Sequence, residues 1–110
     1  MDGIEKGGFL KLFNRGGYVL DFSTNDFDSF TMESIGVPLC QKYQMSKGKS
    51  LVAYCSEASD EDVFKLLSDL LKHYEINCID NYGEEKNRSL YEKCKAIIER
   101  DSGTVAIETP

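Results

Sequence analysis

The chain has 110 residues and a formal net charge of −6. Hydrophobic residues make up 41% and charged residues 29%, both near globular averages, so neither a disordered chain nor a membrane protein is indicated. The acidic balance argues against nucleic acid as a partner, because phosphate binding needs clustered lysine and arginine. Residues 1–8 lack the apolar core of a signal peptide, and a cytoplasmic location is expected.

The first part of the chain predicts a helix followed by an extended segment. Apolar residues at helical spacing favour a short helix over residues 4–14. Residues 15–17 should end it, because glycine adopts the left-handed conformation of a helix stop without steric cost. Residues 18–22 are aromatic and branched, which favours a short strand or extended segment whose hydrogen-bonding partner is not evident.

The middle of the chain predicts two helices separated by a loop. Ser23 or Thr24 should cap a helix that begins near Asn25, and Gly36 should end it. Residues 41–48 are polar and predict a loop. Residues 50–55 then favour a helix over a strand.

The clearest predicted element is an amphipathic helix capped by Ser59. Acidic residues fill its first turn, and apolar residues recur at helical spacing as far as Tyr74. An apolar patch at residues 76–79 is compatible with a short strand, and residues 80–83 predict a turn. This helix should form the main wall of the core.

The C-terminal part predicts a last helix over residues 84–100, ended by residues 101–103. Residues 104–108 favour β structure and need a partner strand or lead into a further domain. The fold class expected is mainly α: a small domain of four to five helices with one or two short extended segments. Residues 1–103 should form this domain, with residues 104–110 as a tail or linker.

The four cysteines are too widely spaced for a zinc site. They form no C-x-x-C pair and have no nearby histidines, which such a site requires. We predict reduced thiols in the core, with a disulfide framework as the alternative; the cysteines are Cys40, Cys55, Cys78 and Cys94. No metal or other cofactor is expected.

Three features could carry chemistry, and each favours a structural role. Residues 48–50 match the end of a phosphate-binding loop, but Tyr43 stands where that loop needs its first glycine. His73 is the only histidine, and a place in the last turn of the strongest helix makes it a poor base for cysteine or serine. The acidic residues 57–62 suit a helix N-terminus better than a metal. We therefore expect no catalytic activity.

One stretch of the chain is basic. No acidic residue occurs between Glu33 and Glu57, while three lysines do. A polar, basic loop is a suitable binding surface, although the lysines of such a loop often only contact solvent. The binding residues predicted here are Lys42, Tyr43, Lys47, Lys49 and Ser50.

Several short runs share their order and spacing with a known bacterial family. They are GYVLDFS at residues 17–23, FDSF at 27–30, ESIGV at 33–37, KY at 42–43 and SKGKSL at 46–51. Together with the helix at residues 60–74, they resemble the N-terminal domain of AbiJ-type abortive-infection proteins. The resemblance covers residues 9–75. It implies a module of a bacterial conflict protein that is fused to an effector and senses invasion or mediates assembly, with no assigned catalytic residues.

The function expected is therefore that of a non-catalytic sensor or adaptor domain in anti-phage defence. It would recognise an invader-derived ligand or a protein partner and control a linked effector domain. The alternative is a small nuclease or nucleotide-binding effector, or a helical DNA-binding module. No membrane partner is expected.

Overall fold

The computed structural model describes residues 1–15, 18–78 and 85–108. The chain is mainly helical, as predicted, with one helix more than expected. Its elements are α1 (Gly3–Phe13), β1 (Asn14–Arg15), β2 (Tyr18–Val19), α2 (Thr24–Ile35), α3 (Leu39–Tyr43), α4 (Lys47–Glu57), α5 (Asp60–His73), a π-helical turn (Tyr74–Cys78) and α6 (Glu85–Glu108).

Helix α1 begins with a reciprocal cap that the sequence analysis missed. The backbone amide of Glu5 donates to Oδ1 of Asp2 at 2.8 Å, and the amide of Asp2 donates to Oε1 of Glu5 at 3.1 Å. Such a capping box satisfies two otherwise unpaired donors. At the other end of α1, β1 pairs antiparallel with β2, so Asn14 lies opposite Val19. This short ladder supplies the strand partner that was not evident from the sequence.

Helices α2 and α3 are joined by side chains from α2. Ser23 caps α2 as predicted, and Gly36 ends it with a left-handed φ of 75°. Both carboxylate oxygens of Asp28 accept hydrogen bonds from the first turn of α3, at 2.7 Å from the amide of Cys40 and 3.1 Å from that of Gln41. The loop predicted for residues 41–48 is therefore wrong, because α3 and the start of α4 occupy much of it.

Helix α5 is at the centre of the core, as expected. Ser59 caps it, and acidic residues fill its first turn. It packs against α2 and α6, while α1 packs against α4 and α6. The fully buried large side chains are Phe9, Leu12, Phe13, Val19, Phe27, Leu39, Leu51, Val63, Leu66, Leu67, Leu70 and Tyr74.

Two predictions for the C-terminal part are wrong. Residues 76–78 belong to the π-helical turn that continues from α5, and not to a strand. Helix α6 continues through Gly103 to Glu108, so neither the helix stop nor the β tail forms. Glycine permits a helix stop but does not impose one. The turn predicted for residues 80–83 lies outside the described residues.

The last helix is held against the rest of the chain by aromatic and charged contacts. The rings of Tyr74 and Tyr91 lie 5.5 Å apart, and the Tyr91 hydroxyl donates to Glu75 at 2.5 Å. Burial, followed by this carboxylate, raises the pKa of Tyr91 to about 12. The Arg100 guanidinium forms a two-pronged contact with Glu5 at 2.7 and 3.2 Å. Among the helices that the structure describes, none has the length and apolar character needed to cross a bilayer.

Candidate ligand-binding groove at the start of helix α4

The predicted basic loop is largely the first turn of α4. The hydroxyl of Ser46 caps this helix by accepting from the amide of Lys49 at 3.3 Å. The hydroxyl of Ser50 donates to the backbone oxygen of Met45 at 3.2 Å. Residues 48–50 therefore belong to the first turn of α4 and not to a loop.

The structure does not bring the five predicted binding residues onto one surface. Ser50 is fully buried, and Lys47 is only 8% exposed. Lys42 and Tyr43 lie on α3, where both contact Glu57: the Lys42 ammonium is 3.7 Å from it, and the Tyr43 hydroxyl donates to it. Of the three predicted binding residues on α4, Lys49 alone is exposed to solvent.

The Tyr43 hydroxyl is committed to this contact. Burial raises the pKa of Tyr43 to about 12, and the hydrogen bond to the Glu57 carboxylate adds to the shift. The Lys42 ammonium also lies 5.4 Å from the centre of the Tyr43 ring, within range of a cation–π contact. These two residues therefore hold α3 against the end of α4.

A groove of about 420 Å³ runs beside the N-terminal half of α4. We call it the α4 groove; its lining includes Asn14, Met45, Gly48, Lys49 and Val52. Met45 is 41% exposed and Val52 is 42% exposed, so two large apolar side chains are in contact with solvent at one place. Ligand sites combine such apolar walls with a few fixed polar groups.

One polar atom beside the α4 groove is incompletely bonded. The side-chain Oδ1 of Asn14 is buried and has no hydrogen-bond donor among the described residues. The backbone amide of Asn14 is occupied, since it donates to Leu10 at the end of α1. A buried acceptor without a donor costs about 1–3 kcal/mol, so Asn14 is a polar residue under strain in the lining of this groove.

The charge at the α4 groove is positive. Lys49 has no ion pair within the described part of the chain. The groove also includes Gly48, whose amide lies in the first turn of α4, where leading N–H groups have no partner inside the helix. The positive end of the helix dipole adds to the lysine charge. The groove can therefore attract an anionic group.

A second groove, of about 450 Å³, lies along the junction of α2 and α5. Its polar groups are largely paired with one another. Asp69 accepts from the Ser34 hydroxyl and from the Lys65 ammonium, each at 2.5 Å. We call this the α2–α5 groove.

His73 lies in the α2–α5 groove with both ring nitrogens engaged. Its Nε2 is 2.9 Å from Oδ1 of Asp21, and its Nδ1 is 3.2 Å from the side-chain amide nitrogen of Asn77. Since a carboxylate only accepts and an amide nitrogen only donates, Nε2–H donates to Asp21 while Nδ1 accepts from Asn77. The ring also stacks on Phe22 at 4.4 Å. This histidine supports the packing of α5.

The thiols whose side chains are described are buried and free, as predicted for reduced core cysteines; they are Cys40, Cys55 and Cys94. Burial raises the pKa of Cys55 and of Cys94 to about 11. Because the thiolate is the reactive form, these groups are poor nucleophiles near neutral pH. No cluster of three potential metal ligands occurs among the residues that the structure describes.

Comparisons with known proteins leave the site to be interpreted from its own chemistry. No family model matches the chain, and no curated protein or solved structure matches it. Of the two grooves, the α4 groove is the better candidate, because it combines exposed apolar side chains with Lys49, which has no ion pair within the described ranges. Lys49 was predicted from the sequence, whereas Asn14 was not, because its only signal was a polar residue directly after a helix.

Proposed function

We propose that this chain is a non-catalytic sensor or adaptor domain of a bacterial anti-phage defence protein. In this role it recognises an invader-derived or partner ligand through the α4 groove and controls a linked effector. The observation that carries the proposal is the combination of Asn14, Lys49 and exposed apolar walls in one groove. A site with unused bonding capacity gains most from a bound ligand.

The family resemblance supports the same groove. The run at residues 46–51, one of those that resemble AbiJ-type domains, forms the cap and first turns of α4. The groups best suited to catalysis have structural roles instead: His73 is hydrogen-bonded through both nitrogens, and Cys55 lies in the core. Binding is therefore a better explanation of the α4 groove than catalysis.

A phage-plating assay tests this function. The complete natural gene that encodes this chain is expressed in a bacterial host, and the efficiency of plating of a phage panel is measured. Lys49→Glu and Val52→Asp should abolish protection, because one reverses the charge of the groove and the other places a charge on its apolar wall. Lys93→Glu is the matched control, since Lys93 is an exposed lysine on α6.

The variants must be compared at equal protein levels and with unchanged circular dichroism melts. Loss of protection by the two groove variants, with protection kept by the control, supports the proposal. Full protection by Lys49→Glu and by Val52→Asp would exclude the α4 groove as the recognition site. A wild-type gene that protects against none of the phages would contradict the defence role.

A further inference from the structure

We propose that the exposed side of α2 binds the exposed side of α4 in a second copy of this chain. The inference rests on the proposed function, because the exposed side of α4 lines the α4 groove and the second copy would be the partner recognised there. Three observations carry it: exposed apolar side chains on both helices, charges of opposite sign, and a residue spacing that suits helix–helix packing.

The exposed side of α4 is apolar and basic. Its exposed residues Lys49, Val52 and Ser56 recur every three or four positions, and Met45 lies four positions before Lys49, just ahead of the helix cap. Residues 34–56 include no acidic residue, and Lys49 has no ion pair in the described part of the chain. We call these four residues the α4 face.

The exposed side of α2 is apolar and acidic. Asp26, Ser29, Met32 and Glu33 are all exposed, and their spacing places them along one side of the helix. Met32 is 55% exposed. Glu33 has no ion pair among the residues that the structure describes, and α2 contains no lysine or arginine. We call these four residues the α2 face.

Most of the large apolar side chains that the described part of the chain exposes lie on these two faces. The faces hold Met32, Met45 and Val52, while Ile4 and Ile76 lie elsewhere. Methionine side chains are flexible, so they fit against irregular surfaces and are frequent at binding sites. When α2 of one copy lies along α4 of another, the three apolar side chains leave water together, which is the main driving force of association.

Charge decides which faces meet. Two α4 faces in contact would bring the Lys49 side chains of both copies together, and two α2 faces would do the same with Glu33. An α2 face on an α4 face instead places Glu33 against Lys49, and such complementarity favours one partner surface over another. The net charge of −6 on each copy opposes association at long range, but the Debye length of about 8 Å at physiological salt screens it.

Sedimentation equilibrium of the full chain in about 0.15 M salt tests this contact. A contact between helices of 12 and 11 residues is small beside a standard interface of about 1,600 Å², so the average mass should rise only between micromolar and millimolar protein. Met32→Asp and Val52→Asp should each weaken association at least about tenfold, because each places a charge in the apolar contact. Ile4→Asp is the matched control, since Ile4 is exposed on α1, outside both faces.

Exchanging charges identifies the two partners in the contact. Lys49→Glu and Glu33→Lys should each weaken association about fivefold, because an attractive exposed pair becomes a repulsive one. The double variant carries both opposite charges again, in exchanged positions, and should recover most of the association of the wild type. An equimolar mixture of the two single variants should recover it as well. Lys93→Glu, on α6, should have no effect.

A wild-type chain that stays monomeric at millimolar concentration would overturn this inference. Weakening by Lys49→Glu without weakening by Glu33→Lys would also overturn it, because another segment would then occupy the α4 face. Failure of the double variant to associate would do the same. These failures are distinct from a failure of the proposed function. If the groove variants abolish phage protection but the chain is monomeric, the α4 groove recognises a different partner; if the chain associates but the groove variants protect fully, the function itself is wrong.

Discussion

Nε2 of His73 lies 2.9 Å from Oδ1 of Asp21 and joins the end of α5 to the segment after β2. We expect His73→Ala to lower the free energy of unfolding by about 1–3 kcal/mol, because it removes the stack on Phe22 and the hydrogen bonds to Asp21 and Asn77. Asp21→Ala should cost less than about 1 kcal/mol, because this side chain is 48% exposed. Urea unfolding of both single variants and the double variant measures the coupling. A cost for Asp21→Ala equal to that for His73→Ala would contradict the dominant role of ring packing.

Asp28 caps a helix other than its own. Asp28→Ala should lower stability by about 1–2 kcal/mol, because the amides of Cys40 and Gln41 lose their acceptors. Asp28→Asn keeps one acceptor oxygen and should cost about half as much. Asp26→Ala is the control: Asp26 is exposed in the first turn of α2, where its dipole effect is worth about 0.3–1 kcal/mol. Equal effects of the Asp28→Ala and Asp26→Ala variants in urea unfolding would count against the cap.

Two glycines should respond oppositely to replacement by alanine. A Cβ on Gly7 would meet no atom within 4 Å, so Gly7→Ala should stabilise α1 by about 0.5–1 kcal/mol through higher helix propensity. Gly36 has a φ of 75°, so Gly36→Ala should destabilise by about 1–2 kcal/mol. Thermal melts of both variants check the signs. A lower melting temperature for Gly7→Ala would mean that this turn of α1 requires glycine.

Stability should fall at alkaline pH because of buried thiols. Burial raises the pKa of Cys55 from 9.0 to about 11, so the folded state retains a proton that the unfolded state loses. The stabilising contribution is complete below pH 9 and is lost as the pH rises towards 11. Urea midpoints at pH 8 and pH 10.5 measure the fall. Cys55→Ala should be less stable at pH 8 but show a smaller loss between the two values; an identical loss would assign the effect to other groups.

Local signals in the sequence were sufficient for most helices. Ser23 and Gly36 bound α2 because a cap and a left-handed stop depend on neighbouring residues only. Ser59 and the leucine stripe defined α5 in the same way. Lys49 was also predicted as a binding residue, because it belongs to the stretch that has lysines and no acidic residues.

Features that depend on distant residues could not be predicted. Nothing in the local sequence of Asp28 shows that its carboxylate reaches the backbone amide of Cys40 at the start of α3. For the same reason, residues 41–48 were predicted to be a loop. Asn14 on β1 and Val52 on α4 line the same groove although they are far apart in the sequence, so no local motif pointed to Asn14.

The contact between Arg100 and Glu5 connects residues that are 95 positions apart. At synthesis rates of about 5–20 residues per second, α1 leaves the ribosome roughly 5–20 s before the segment of α6 that it contacts. During that interval the side of α1 that later faces α6 has no native neighbour. On a ribosome, α1 can therefore complete its native packing only after most of the chain has been synthesised, and a nascent chain halted before α6 would expose this surface to chaperones.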